Sequence, residues 1–195
     1  MIAFVRGKFA VKSPSRIVVD VQGVGYELQI SLHTYSAISS QEEGLIYTYL
    51  HITENAHVLY GFHHPDEKDM FLHLISVSGV GASTARMMLS GMEPREIATA
   101  IVSGNTRQLE SIKGIGKKSA ERLIVELKDK LGKQFSGSSQ SVAGVFSSLE
   151  ADAVQALVAL GIGRVMAEQA VKKTLQAHQG GIAVENLIKQ ALQSL

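Results

Sequence analysis

Cysteine and tryptophan are both absent from this chain of 195 residues, and only three prolines punctuate it. Without cysteine there are no disulfides, no thiolate metal sites and no thiol nucleophile, which suits a reducing compartment. Long apolar runs are missing too, so nothing approaches the length of a membrane span. The opening stretch MIAFVRGKFAV is broken by Arg6 and Lys8. It therefore lacks the apolar core of a secretory signal, and the cytoplasm is the expected location. Nor is there an excess of one charge: 19 basic against 18 acidic residues leave +1, which argues against a simple basic nucleic-acid binder.

The near-zero total hides an asymmetry. Residues 1–62 carry 4 basic and 5 acidic side chains, residues 63–111 carry 4 and 6, residues 112–133 carry 7 and 3, and residues 134–195 carry 4 and 4. A polyanion is therefore best held at 112–133. With 45% hydrophobic and 19% charged residues, the chain has the composition of an ordinary soluble protein, long enough for one large domain or two to three small ones.

Residues 1–62 read as five short strands: IAFVRGKFAV, RIVVDVQ, YELQIS, LIYTYLHIT and AHVLYGF. Tyr26, Leu28 and Ile30 alternate with Glu27 and Gln29, the period of a strand with one buried face. Such a set suits a small closed barrel. A plain sandwich or hairpin stack satisfies the same alternation. At HHPDEKDMFLHLI the period becomes helical, with Pro65 at a helix start, Asp66 and Glu67 favouring the positive end of the dipole, and Met70, Phe71, Leu74 and Ile75 as the apolar stripe. Further helices are expected after Gly81, from Pro94, from Thr106 and from Lys117, closing a helical unit at 63–133. Residues 134–148, SGSSQSVAGVFSS at their heart, read as a flexible tether. EADAVQALVAL, RVMAEQAVKKTLQ and VENLIKQAL then spell a three-helix module at 149–195.

The chain also repeats itself. VSGVGASTARMML and IKGIGKKSAERLI superpose Gly79 on Gly114, Gly81 on Gly116 and Ala85 on Ala120. Glycine accepts φ > 0 and lets a ligand come close, and a turn just before a helix presents unpaired N–H groups where phosphate binds. Lys117 and Lys118 oppose the helix dipole, a cost offset if phosphate arrives. One Gly-x-Gly can equally serve only to pack two helices closely. Two copies in register, one flanked by lysines, favour nucleic acid read by its backbone, in a pattern resembling the tandem helix-hairpin-helix motif.

Nucleotide and catalytic readings fail on the residues. SIKGIGKKS has Ser111 where a P-loop needs its first glycine and Lys118 where it needs a magnesium-binding hydroxyl. Both glycine turns lack the third glycine of a dinucleotide fingerprint. Glu121, Glu126 and Asp129 alternate with Lys128 and Lys130 as on a solvated, salt-bridged helix face, and the histidines lack ligand spacing. No catalytic residue, metal or cofactor is expected. Two further readings stay open: a general duplex-binding repair scaffold, and a protein-only assembly factor with purely structural hairpins.

GVGYEL, LYGF, LSGM and GIGKKSAERLIVELKDK occur here in one order, and with them the whole chain resembles the RuvA family of Holliday-junction-binding subunits. The resemblance implies an α+β multidomain protein: a five-stranded OB-fold β-barrel, a tandem helix-hairpin-helix domain, a flexible linker and a three-helix motor-binding domain. It implies a homotetramer that holds a four-way junction open in recombination and repair. It also implies recruitment of a RuvB-type hexameric ATPase, with a RuvC-type junction resolvase as a further candidate partner. Carried over by position, Gly79, Val80 and Gly81 with Gly114, Ile115 and Gly116 become the phosphate-binding hairpins, helped by Lys117, Lys118 and Arg122. Ser83 stands where many members have lysine. Glu54 and Asn55 occupy the turn of the family's acidic pin, whose second position is usually acidic; read bare, they are turn residues. ALGIGRVMA fits the hairpin template a third time through Gly161, Gly163 and Ala167. Leu157, Leu160 and Ile162 are the candidates for an exposed apolar contact with the motor, although a three-helix core accounts for the leucines equally well.

Overall fold

The computed structural model describes residues 1–136, 145–177 and 182–194. It divides into two compact units, Met1–Gly137 and Ser138–Leu195. In the first, strands β1 (Phe4–Ser13), β2 (Arg16–Val21), β3 (Val24–Ile30), β4 (Glu43–Ile52) and β5 (His57–Phe62) close a barrel in the order β1-β2-β3-β5-β4. All pairs are antiparallel except β3 with β5. Closure leaves no strand edge open, which decides for the barrel against the sandwich. Leu28 and Ile30 point into its core with Val5, Ile17, Val19, Ile38, Ile46 and Leu59, while Tyr26 is only half-buried. At Gly61 an added Cβ would stand 2.9 Å from the Ile46 side chain and 3.1 Å from that of Leu28, so glycine is needed there for close packing.

One barrel element departs from the expected order of strands. A helix, α1 (Leu32–Ile38), lies between β3 and β4, capped by the Ser31 side chain, which accepts from the Thr34 N–H at 3.0 Å. Its buried residues are Thr34 and Ile38. With one of the two polar, apolar periodicity had little to mark.

The helices that follow begin at the expected punctuation: α2 (Pro65–Ile75), α3 (Ala82–Gly91), α4 (Pro94–Val102), α5 (Thr106–Glu110) and α6 (Lys117–Ser136). Proline opens α2 and α4 at a position whose N–H has no intrahelical partner. In α4 the Glu93 N–H also donates to the Glu96 carboxylate at 2.9 Å, half of a capping box. Met70, Phe71 and Leu74 of α2 are buried and Ile75 is half-buried. Glu67 stands in the first turn of α2 as expected and is in addition fully buried. Phe71 packs among Tyr49, Tyr60 and Phe62, with ring centroids 5.7, 5.0 and 5.0 Å away. The last strand of the barrel thus also lines the helical core.

In the second unit α7 (Val145–Ala159), α8 (Arg164–Ala177) and α9 (Val184–Gln193) pack around Ala153, Leu157, Ala167, Ala170, Val171, Leu187 and Ala191. Both ends of the expected tether, 134–148, carry helix among the described residues. Helix α6 runs on to Ser136 and α7 starts at Val145, since neither stretch holds the proline that would stop a helix. The middle of the tether lies outside the described residues.

Truncating the ring that joins barrel and helices should be costly. Phe71→Ala is expected to lower the unfolding free energy of the first unit by about 3–5 kcal/mol, read as a fall in urea midpoint at constant slope.

Candidate nucleic-acid interface

The repeated sequence becomes a repeated backbone. In the first hairpin Gly79 has φ +92° and Gly114 has φ +96° in the second, the left-handed region that costs other residues about 1–2 kcal/mol. That twist folds the chain back so that the Val80 N–H donates to the Val77 carbonyl at 3.0 Å and the Ile115 N–H to the Ile112 carbonyl at 3.1 Å. Val77, Val80, Ile112 and Ile115 are all buried and anchor the turns. Val80 and Ile115 anchor the hairpins, and their own N–H groups are bonded within the turns.

Helices α3 and α6 start immediately afterwards. Their first bonds run from the Ala85 N–H to the Gly81 carbonyl at 2.9 Å and from the Ala120 N–H to the Gly116 carbonyl at 3.0 Å. The N–H groups ahead of them have no intrahelical acceptor, and Gly81 supplies no side-chain cap. Helix geometry thus leaves donors at Gly81–Thr84 and Gly116–Ser119 facing outward at the positive end of each helix dipole.

Gly81 and Gly116 separate the two meanings of the glycine pattern. Neither has a positive φ, and an added Cβ at either would meet nothing within 4 Å. Nothing inside the protein requires glycine there, in contrast to Gly61. Close helix packing therefore does not explain them, and the bare helix heads are open to an external group.

Lys117 and Lys118 are exposed at the start of α6, and Ser83 is exposed at the start of α3. Lys113, overlooked in the sequence, is exposed in the second turn, and its alignment with Ser78 of the first copy was the available signal. Arg122 is also engaged within the protein. Its guanidinium donates to the Ser78 carbonyl at 3.2 Å and pairs with Glu126 at 3.1 Å. It ties the second hairpin's helix to the first hairpin's turn and so holds the two in register.

Glu54 and Asn55 sit far from the hairpins in sequence, at the tip joining β4 and β5. The Thr53 N–H donates to the Ala56 carbonyl at 2.9 Å, and the Ala56 N–H donates back to the Thr53 hydroxyl at 3.2 Å. Both tip residues are exposed, so the closed turn presents one carboxylate and one amide to solvent.

The third copy, in the second unit, shares the left-handed glycine and the first helical bond, with φ +91° at Gly161 and the Ala167 N–H donating to the Gly163 carbonyl at 3.0 Å. Its turn closes differently, the Ile162 N–H donating five residues back to the Leu157 carbonyl at 3.1 Å where Val80 and Ile115 donate three back. Its chemistry differs at the first helical turn. Where the second copy has Lys117, Lys118 and Ser119, this one has Arg164, Val165 and Met166. Arg164 is paired with Glu168 at 2.9 Å, while Val165 and Met166 are 67% and 54% exposed. Leu160 is 65% exposed, Ile162 is half-buried against the core, and Leu157 is fully buried. Leu157 is therefore a core residue, not an exposed contact, because it faces α8 and α9 from the inner side of α7.

Among the described residues no group of three His, Asp or Glu side chains is placed to hold a metal ion, and no helix is long and apolar enough to cross a membrane. Comparison with known proteins adds three family matches: the RuvA N terminal domain over residues 1–61, the SAM-like helix-hairpin-helix tandem over 71–129, and the RuvA C-terminal domain over 148–195. Among relatives, a Cytophaga hutchinsonii protein is 44% identical over 98% of both chains. One from Amoebophilus asiaticus is 45% identical over 98% of this chain and 99% of its own. A third, from Flavobacterium psychrophilum, is 44% identical over 100% of both. Each is named Holliday junction branch migration complex subunit RuvA.

Paired substitutions distinguish the two glycine roles. Gly81→Ala with Gly116→Ala should leave unfolding free energy within about 0.5 kcal/mol of the parent yet weaken DNA binding tenfold or more, since charge-assisted hydrogen bonds worth roughly 1.5–3 kcal/mol each are obstructed. Gly79→Ala with Gly114→Ala should instead destabilise the fold by about 1–2 kcal/mol per site. Denaturant titration and fluorescence anisotropy on the same samples give both readouts.

Proposed function

Because the chain belongs to the RuvA family, we propose that it binds Holliday junctions as the DNA-binding subunit of a branch migration complex, with the ATPase carried by a RuvB-type partner. The observation that carries this function is the open glycine at the head of α3 and of α6, Gly81 and Gly116, where only an external group benefits from the missing side chain. Donors at two helix starts, with Lys113, Lys117 and Lys118 around the second, hold phosphates without reading bases. A four-way junction offers that partner, being recognised by shape.

Four copies of the chain around one junction would match its fourfold form and bring four Glu54 tips to the crossover. Each carboxylate would then repel the phosphates passing it. One charge pair at about 4 Å in water-like surroundings costs roughly 1 kcal/mol, so four copies disfavour continuous duplex across the same face. With Asn55 neutral the repulsion is half that of a turn with two acids, and discrimination is correspondingly milder.

The third hairpin suits a protein partner. Its left-handed glycine is the same, but Leu160, Val165 and Met166 form the exposed rim where the second hairpin has Lys113, Lys118 and Ser119. An apolar rim of this kind docks protein and offers little to phosphate. We assign it to the motor. A RuvC-type resolvase would share the junction through the DNA itself.

Titration of a four-way junction beside duplex of the same arms tests the first assignment. The parent should prefer the junction, and Lys117→Ala with Lys118→Ala should weaken both complexes and flatten the salt dependence by about 0.9 log unit for each phosphate that is no longer neutralised. Equal affinity of the parent for both DNAs would contradict junction recognition. For the second assignment, Val165→Asp with Met166→Ser should abolish stimulation of the partner ATPase while junction affinity stays within about twofold, a difference near 0.4 kcal/mol. Full stimulation by that variant would remove the apolar rim from the docking site.

A further inference from the structure

Glu67 is buried without a cation beside it. No ion pair among the described residues includes it, and its relative exposure is 0%. Its carboxylate accepts from two hydroxyls, Ser31 Oγ at one oxygen and Thr34 Oγ1 at the other, the latter at 2.6 Å. Both hydroxyls are themselves buried. Each also accepts from a backbone N–H: Thr34 N–H to Ser31 Oγ at 3.0 Å, and His63 N–H to Thr34 Oγ1 at 3.0 Å.

All four bonds therefore point the same way, from backbone N–H through hydroxyl to carboxylate. Glutamine has the same shape but turns a donor toward one hydroxyl, whose hydrogen then has no acceptor. Both hydroxyls arrive as donors because each already accepts from a backbone N–H, so the site is matched to a side chain that offers an acceptor at both oxygens. The aromatic contact around Phe71 holds barrel and helices together but is non-directional. The hydroxyl–carboxylate bonds are directional.

What they orient lies on both sides. Ser31 follows Ile30, which pairs with Gly61 of β5, the strand that begins just after the Glu54 turn. On the helical side Glu67 belongs to α2, which leads into the first hairpin. Helix α3 adds ties in the same sense. Arg86 donates to the Ser15 carbonyl at 3.0 Å and to the Gln29 side chain at 2.6 Å, and the Leu32 N–H donates to the Ser90 hydroxyl at 3.0 Å.

We infer that Glu67 is a positioning residue for junction selectivity: through Ser31 and Thr34 it fixes the barrel, with its Glu54 tip, at one angle to the hairpins. The inference rests on the junction-binding function proposed above. Duplex binding needs only the hairpins, whereas choosing a junction needs tip and hairpins in one geometry. Glu67 thus governs the ratio of the two affinities and not their common level.

The absence of cysteine allows a clean test in the full chain. Val24→Cys on the barrel and Glu110→Cys on the helical part, both exposed, are spin-labelled and diluted into unlabelled chain so that within-chain distances dominate. Glu67→Gln should widen the distance distribution, lower junction affinity at least fivefold and leave duplex affinity within twofold, with unchanged circular dichroism. A parent-like narrow distribution, or equal losses on both DNAs, would overturn the inference. If Glu67→Gln does not fold, Thr34→Val removes one hydroxyl and is read by the same criteria. A parent that binds junction and duplex equally contradicts the proposed function, while the label distances still decide whether Glu67 sets the angle.

Discussion

A left-handed glycine three residues before a helix is the constraint on which the interface depends. It lets the chain reverse within a turn so short that the next helix starts with its N–H groups pointing outward. Everything else at the hairpins serves that reversal. Val80 and Ile115 plug into the core and hold each turn down, Arg122 ties the second hairpin's helix to the carbonyl of Ser78 in the first turn, and the glycines at 81 and 116 leave the new helix bare at its head. Lysine near that head opposes the dipole locally. On the proposed function an incoming phosphate would offset this cost.

A related backbone occurs a third time with other chemistry. Gly161 and Gly163 repeat the left-handed residue and the bare helix head, and openness alone does not distinguish this copy from the other two. The first helical turn does. Ala82, Ser83 and Thr84 of the first copy and Lys117, Lys118 and Ser119 of the second become a paired Arg164 and the exposed Val165 and Met166. One supersecondary unit can thus serve a polyanion or a protein, depending on the residues of a single helical turn.

Much of this was legible in the sequence because it was written in punctuation. Pro65, Pro94, the Gly-x-Gly pairs and the alternation at Tyr26–Ile30 each act locally, so helix starts and strands could be read from them. What escaped depends on distant partners. Glu67 looked like an ordinary first-turn acid until Ser31 and Thr34 were found against it. Helix α1 buries one threonine and one isoleucine and shows almost no apolar period. The bond from Arg122 to the Ser78 carbonyl spans 44 residues and left no local mark in the sequence. Leu157 was indistinguishable from its exposed neighbours until the phase of α7 was known.

The central claim is that backbone N–H groups at two helix starts hold the phosphates of a junction. Hydrogen exchange read by mass spectrometry reports on those groups directly, with and without a four-way junction. Amides at 81–84 and 116–119 should exchange more slowly in the complex, while those at 163–166, at the head of the apolar copy, keep their rate. Unchanged exchange at both DNA-facing helix starts, under conditions where the junction is fully bound, would contradict the account.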